Sequence, residues 1–436
     1  MSEQSAAKNS PRRTFLKATG AAGVGFMAAA GTQTSSAEDG AAANDMVNIA
    51  IVGCGGRGGG ATNDNLTINN NTRLVAMADI DVGKCQGLAR RMTKFGNRLA
   101  VEEKAMHGGL DAYKRVLDDK NVDVVLFATP PGFRPRHIMD AVDAGKHIFA
   151  EKPTCVDPAG YRICLDAHEK ALANKTSIVT GTQYRRQTNY IGAVEQIREG
   201  AIGDIVSATT RYCSTGIWYR GRPEGGAATE YQIRNWMHFI WLSGDQIAEQ
   251  AVHNIDALNW VMGSPPESAY GSGGRFTRPA DSEMWDNMAI DYVYPGGKVL
   301  SFMCRQIGGT KSDNGNVIYG TKGTAYISAM SGGSHIVDRN GKQVWQMAGN
   351  IGDAYRREHK DLIDSVVAGK PIVELKDTAD SSLTAVMGRL AAYTGQLVSW
   401  DFVTKQSELD LFPKDLALDN PRPEPEFAIP GKTKLV

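Results

Sequence analysis

Lys152 ends a short apolar run, HIFAEKP (147–153), and an ammonium at a strand end can hydrogen-bond a substrate hydroxyl and help its proton leave. A plain salt bridge with Glu151 is the competing reading. His253 lies in EQAVHNIDALNW (249–260), which reads as one helix with Glu249, His253 and Asp256 at i, i+4 and i+7 on a single face. Carboxylates on that face would orient the imidazole and tune its pKa, although a lone histidine is more often structural. The third group is backbone: Gly53, Gly55 and Gly58 in IAIVGCGGRGGG (49–60) complete G-x-G-x-x-G. The first glycine allows a tight turn, the second lets a pyrophosphate approach the chain, and the third lets helix and strand pack closely.

These residues need a scaffold, and the surrounding chain supplies one. MVNIAIV is a β-branched apolar run suited to a buried parallel strand that feeds a helix, whose free N–H groups bind phosphate. A second run, RLVAMAD (73–79), ends in Asp79, 79 − 58 = 21 residues beyond the last glycine, where an acid accepts ribose hydroxyls and disfavours a 2′-phosphate. NAD is therefore expected as cofactor; Arg57 and Lys84 keep NADP open, and Asp79 as a simple helix cap is the bland alternative. NVDVVLFATPP (121–131), RPRHIMDAVDAGK (134–146) and HIFAEKP continue the strand–helix alternation of a doubly wound α/β domain. Ligands in such sheets sit beyond the carboxyl ends of the strands, so Thr129, Pro130, Glu151 and Lys152, with Arg57, should line the cofactor site. After SIVTGTQ come Tyr184, Arg185 and Gln187, a phenol, a guanidinium and an amide suited to sugar hydroxyls; Trp218, Tyr219 and Trp236 offer faces for stacking on a sugar ring. Core or interface packing is the equal alternative for the aromatic residues.

The chain has 436 residues, with 48 basic and 48 acidic side chains, so no net field favours nucleic acid or an anionic membrane. The length suffices for two full cores. No run beyond residue 30 approaches the roughly 20 apolar residues of a membrane span. Six cysteines show neither CxxC nor zinc spacing, so no metal is expected, and free buried thiols are favoured over disulfides. At the N-terminus, SPRRTFLK followed by an Ala/Gly-rich stretch has the layout of a secretory signal. Its paired arginines resemble the twin-arginine signal, which implies export of an already folded protein to the periplasm or beyond.

AGKHIFAEKP, coming after a Rossmann half, resembles the Gfo/Idh/MocA family of sugar and inositol oxidoreductases. The resemblance extends over about residues 46–400 and includes GTQYRRQTNYIGAVEQIREGAIGDIV (181–206), EQAVHNIDALNW and SSLTAVMGRLAAYTGQLVSW (381–400). It implies a second, α+β domain with a large open, mostly antiparallel sheet whose outer face pairs subunits into a homodimer or homotetramer. The strand-rich segments 205–213, 288–306 and 315–328, with a hairpin at Pro295-Gly296-Gly297, agree on their own account. The domains expected are signal and linker (1–45), NAD-binding Rossmann domain (46–155), substrate and oligomerisation domain (156–400) and C-terminal arm (401–436).

The family strengthens Lys152 and His253 as catalytic residues, and puts Glu249 where its members commonly have Asp. Arg185, Glu249, Asp256 and Trp236 are the candidates for holding a carbohydrate or polyol. Outside the cytoplasmic membrane there is in general no NAD pool, so an exported member would hold its cofactor and recycle it internally. Two family chemistries do so: oxidation of one sugar followed by reduction of a second carbonyl compound, or a redox-neutral glycoside hydrolysis that oxidises, eliminates and returns the hydride. The second needs another base, for which Tyr184 is the candidate. A non-catalytic sugar-binding protein is the remaining reading, against which the intact glycines and Lys152 stand.

Overall fold

Every residue of VNIAIV (Val47–Val52) is buried, because the strand it forms, β1, sits inside a parallel sheet covered on both faces. The structure is a computed structural model that describes residues 46–222, 224, 228–329, 333–422 and 424–436; the expected signal and linker lie outside the described residues. β2 (Thr72–Asp79), β3 (Met106–Gly108), β4 (Val124–Phe127), β5 (His147–Ala150) and β6 (Ile178–Thr180) complete this sheet in the order β3-β2-β1-β4-β5-β6. All of its pairings are parallel. Period-two alternation sends Ile49 and Ile51 to one core with Leu66, Met77 and Leu362, and Ala50 and Val52 to the other with Phe127 and Ile148. Strand order reverses between β1 and β4, which opens a crevice above their carboxyl ends.

The Rossmann sheet runs past residue 155, where the sequence placed its end, since β6 lies at 178–180. A later segment also joins it: helix Ile351–Val367 buries Leu362 and Ile363 in the β1 core. In the sequence, DAYRREHKDLIDSVVAGKP (353–371) reads as an amphipathic helix whose charge run is a solvated face. Arg356, Lys360 and Asp364 follow the expectation, but Glu358 and His359 are fully buried, because one side of the helix packs on Gly56–Ile68.

The second sheet has nine strands. They are β7 (Ile205–Ser214), β8 (Ser268–Gly274), β9 (Asn287–Tyr294), β10 (Lys298–Gln306), β11 (Asp313–Gly320), β12 (Gly323–Ile327), β13 (Ser334–Asp338), β14 (Gln343–Met347) and β15 (Val398–Ser399). Their order is β14-β13-β12-β11-β7-β10-β9-β8-β15, antiparallel throughout except for β7 with β10. Gly296 and Gly297, at φ 80° and 74°, make the expected β9–β10 hairpin, because two left-handed positions suit the twist of the paired strands. Leu300, Phe302 and Cys304 face inward, toward the side carrying helix Leu375–Thr394, while Val299, Met303, Tyr319 and Tyr326 face out. All six cysteines are buried and free. Among the described residues no helix is long and apolar enough to cross a membrane.

Candidate active site

A cleft of about 620 Å³ lies over the carboxyl ends of five parallel strands, and each contributes residues: Gly53 and Gly55 after β1, Asp79 at β2, Thr129 and Pro130 after β4, Glu151 and Lys152 after β5, Gln183 after β6. The facing wall carries Tyr212, Trp236, Glu249 and His253 from the second domain's side, and Tyr355 from the late helix.

The glycine loop fits a dinucleotide. Gly53 stands at φ +94°, and a Cβ there would meet the Ala128 backbone at 2.8 Å. A Cβ on Gly58 would lie 1.8 Å from the Gly53 carbonyl oxygen, so Gly58 serves the packing of helix on strand and does not line the cleft. Around Gly55 and Gly56 there is nothing within 4 Å, so bare backbone faces open space. Helix Gly56–Ile68 has no side-chain cap and no acid in its first turn, leaving its first N–H groups for an anion.

Asp79 does not cap the next helix. Asp81 does, accepting from the Gly83 N–H at 2.9 Å. The Asp79 carboxylate instead accepts from the Cys54 N–H (2.8 Å) inside the glycine loop and stays at the cleft wall, with lone pairs left for ribose hydroxyls. Both cations that kept NADP open are engaged by acids: Lys84 lies 3.7 Å from Asp79, and Arg57 is bonded to Glu151. Asp79→Ala is expected to weaken NAD binding about tenfold and to narrow the NAD/NADP preference, through loss of one charge-assisted hydrogen bond. Titrating each nucleotide into stripped protein measures both; an unchanged preference would remove Asp79 from the ribose site.

Arg57 lies over the Tyr355 ring at 4.5 Å, and its Nη2 is buried with no partner. Lys152 donates to the Glu249 carbonyl and, at 3.1 Å, to Glu249 Oε1. His253 faces the same space with Nδ1 unpartnered, as is Glu249 Oε2. Polar side chains of Arg57, Glu249 and His253 with buried, unpartnered atoms beside the cleft mark a site suited to a polar, hydroxyl-bearing ligand. Burial, with the charges of Lys152 and Arg57, holds the His253 imidazole well below its ordinary pKa. It therefore stays neutral and is available to accept a proton from a hydroxyl placed in the cleft, beside the Lys152 side chain. Because a lowered imidazole pKa means protonation only in more acid solution, kcat/KM is expected to stay flat as pH falls from 8 through 6.5. An acid limb centred near 6.5 in the pH profile would contradict that assignment.

Several candidates lie elsewhere. Segment 249–260 is not one helix: Asp245–Glu249 and Val252–Met262 are separate, with Gln250 at their break, so Glu249 and His253 reach the cleft from two helices. Asp256 does not line the cleft; it takes a bidentate bond from Arg185 (2.9 and 2.8 Å) and another from Ser381. Arg185 also pairs with Asp377, so these two residues join the helix Leu375–Thr394 to its neighbours. Tyr184 is buried behind the wall, stacked on Tyr190 at 4.5 Å, with its ring 5.2 Å from that of His253. The phenols that line the cleft are Tyr113, which donates to Asp140 at its far end, Tyr212, whose pKa is pushed up to about 12 by burial and then by Glu249, and Tyr355. Arg134 is another residue that spacing did not single out. Fully buried, it donates to the Pro153 carbonyl (2.5 Å) and the Thr129 carbonyl and so fixes two strand-end loops. Its only local signal was an arginine just after the strand-end prolines.

Comparison with known proteins agrees with this geometry. Residues 47–175 match the description "Oxidoreductase family, NAD-binding Rossmann fold", and residues 190–326 match "GFO/IDH/MocA C-terminal domain". An inositol 2-dehydrogenase of Rubrobacter xylanophilus is 24% identical over 291 residues, 66% of this chain and 73% of that protein. An alpha-N-acetylgalactosaminidase of Tannerella forsythia is 26% identical over 261 residues, 54% of each chain. In fold, the aldose-aldose oxidoreductase of Caulobacter crescentus in complex with glycerol superimposes with a TM-score of 0.63 at 19% identity, over 81% of this chain and 99% of that one. With both of its domains matched and a glycine loop shaped for the cofactor, the chain belongs to the GFO/IDH/MocA family of NAD-binding oxidoreductases.

Proposed function

We propose that the protein is an exported oxidoreductase that oxidises a hydroxyl of a sugar or polyol using an NAD it keeps between turnovers. The observation that carries the reading is the meeting of Lys152, Glu249 and His253 in one cleft, opposite the strand ends and the open glycine loop. NAD held by the glycine loop and Asp79 would supply the hydride acceptor for a carbinol carbon placed in the cleft. His253 would take the hydroxyl proton, and Lys152 would hold the oxygen. The inositol dehydrogenase name of one relative supports the substrate class. Export rests on the twin arginines, and retention follows from export into a compartment without an NAD pool.

The relative named as an alpha-N-acetylgalactosaminidase supports a second reading, redox-neutral glycoside cleavage. Tyr212 or Tyr355, which line the cleft, would then serve as the extra base in place of Tyr184. One experiment separates the two: purify the mature protein without added nucleotide, then follow nicotinamide absorbance and products with simple sugars, polyols and aryl glycosides. Lasting reduction reversed by a second carbonyl compound supports the oxidoreductase. Cleavage with no lasting reduction supports the glycosidase, and no reaction with any of them removes both.

The outer face of the nine-stranded sheet is proposed to seat a second copy of the chain, since it exposes Val299 and Met303 on β10, Tyr319 on β11 and Tyr326 on β12. Met303→Asp with Tyr326→Asp is expected to leave the fold intact and halve the mass seen in sedimentation; an unchanged mass would mean that this face is not the interface.

A further inference from the structure

The wall of the cleft above the adenosine end is built from the second half of the chain: Ile233, Arg234 and Trp236 line the same space as Asp79, Lys84 and Leu110. A dinucleotide stretched from Asp79 to Lys152 would run beneath this roof. The roof is docked on the Rossmann half by a separate hydrophobic cluster, in which Phe133 meets Ile233, Phe239, Trp241 and Leu242. Contact is backbone-close, because a Cβ on Gly132 would sit 2.0 Å from the Trp241 carbonyl oxygen. Arg234 adds a bridge to Asp81 at 3.8 Å, but both side chains are exposed, so that bridge holds little.

A second element straps the roof down. The proline-rich, acidic tail from residue 406 onward reads in the sequence as a strap or arm over a neighbour, and residues 409–422 of it pack against their own chain. At one end the Leu411 N–H donates to Asp157 (2.8 Å), and Phe412 sits under Arg136 (3.8 Å) and edge-on to Phe133 (5.9 Å). Leu416 and Leu418 pack on the roof cluster. At the other end the carbonyls of Leu418 and Asn420 accept from Glu230 and Thr229, and Arg422 covers Trp241 at 5.0 Å.

We propose that residues 409–422 are a belt that holds the 228–242 roof closed over the dinucleotide and so sets its rate of release. The inference rests on the reading of an NAD-retaining enzyme and supplies its physical means: the roof that carries Ile233 and Trp236 cannot lift without opening an apolar cluster. The belt residues touch the roof and not the reacting atoms, so they act by positioning.

The test loads the full-length mature protein with radiolabelled NAD, chases it with excess unlabelled NAD, and compares Leu416→Asp and Phe412→Ala with wild type. Phe412→Ala is the milder change and serves if Leu416→Asp fails to fold; both are read on protein whose circular dichroism matches wild type. Release is expected to speed up about tenfold or more in the variants. Release at the wild-type rate in both would overturn the belt, whatever that rate is. The retention reading is judged separately, from wild-type release against turnover. If wild type releases NAD faster than it turns over and the variants release it faster still, the belt stands and retention fails.

Discussion

Replacing Lys152 by methionine is expected to lower kcat about a thousandfold, roughly 4 kcal/mol of transition-state stabilisation, while NAD still binds. Lys152 lies in the cleft between the strand end of β5 and the imidazole of His253, and methionine keeps the length of the stem without the amine. A side effect must be separated from the chemistry. Glu249 is largely buried, already has one oxygen unpartnered, and would lose the one cation paired with it among the described residues, at a cost of about 1–3 kcal/mol of stability. Adding Glu249→Gln to the same chain should restore the melting temperature without restoring turnover. If the single variant turns over normally, Lys152 is only the structural partner of Glu249.

The glycine loop carries the second large effect, and two of its positions should fail in different ways. Gly58→Ala places a methyl 1.8 Å from the Gly53 carbonyl oxygen, a backbone atom that cannot rotate away. Loss of about 3 kcal/mol of folding stability is expected with or without nucleotide, since helix Gly56–Ile68 must shift from β1. Gly55→Ala meets nothing within 4 Å in the protein itself and has an ordinary φ of −72°. It should fold as wild type yet bind NAD about a hundredfold more weakly, roughly 2.7 kcal/mol, because its methyl fills the space a pyrophosphate needs. Chemical denaturation of the nucleotide-free proteins, beside NAD titrations, reads both. Equal NAD affinity in Gly55→Ala and wild type would mean that the phosphates lie elsewhere.

The contrast between those two glycines shows what was legible in the sequence. The loop, Asp79 and the strand ends at Thr129 and Glu151 could be read because each is a local pattern: a strand, its turn and the next helix are contiguous, and the sheet brings such turns to one edge. Lys152 and His253 were legible as residue types suited to the chemistry. Their meeting through Glu249 depends on a break at Gln250 that helical spacing did not reveal. Asp256 fitted the same spacing, but across that break it turns to Arg185, which lies 71 residues earlier in the chain. Tyr355 and the buried Glu358 belong to a helix whose charges looked solvated, because nothing near residue 355 in the chain records that it packs beside the glycine-loop helix. The belt is the extreme case: a proline-rich tail has no periodicity to read, and its place is set by the apolar surface it covers.

The central claim, that a hydride passes between a substrate carbinol carbon and a nicotinamide held in this cleft, is tested most directly by rapid mixing. The as-purified protein is mixed with a reactive sugar or polyol carrying hydrogen or deuterium at the carbinol carbon, and reduced nicotinamide is followed through the first turnover. The account predicts a rise in reduced nicotinamide that slows severalfold with deuterium and is missing in Lys152→Met, whether the hydride later leaves to a second substrate or returns to the first. Turnover with no reduced nicotinamide at any time and no isotope effect would contradict it.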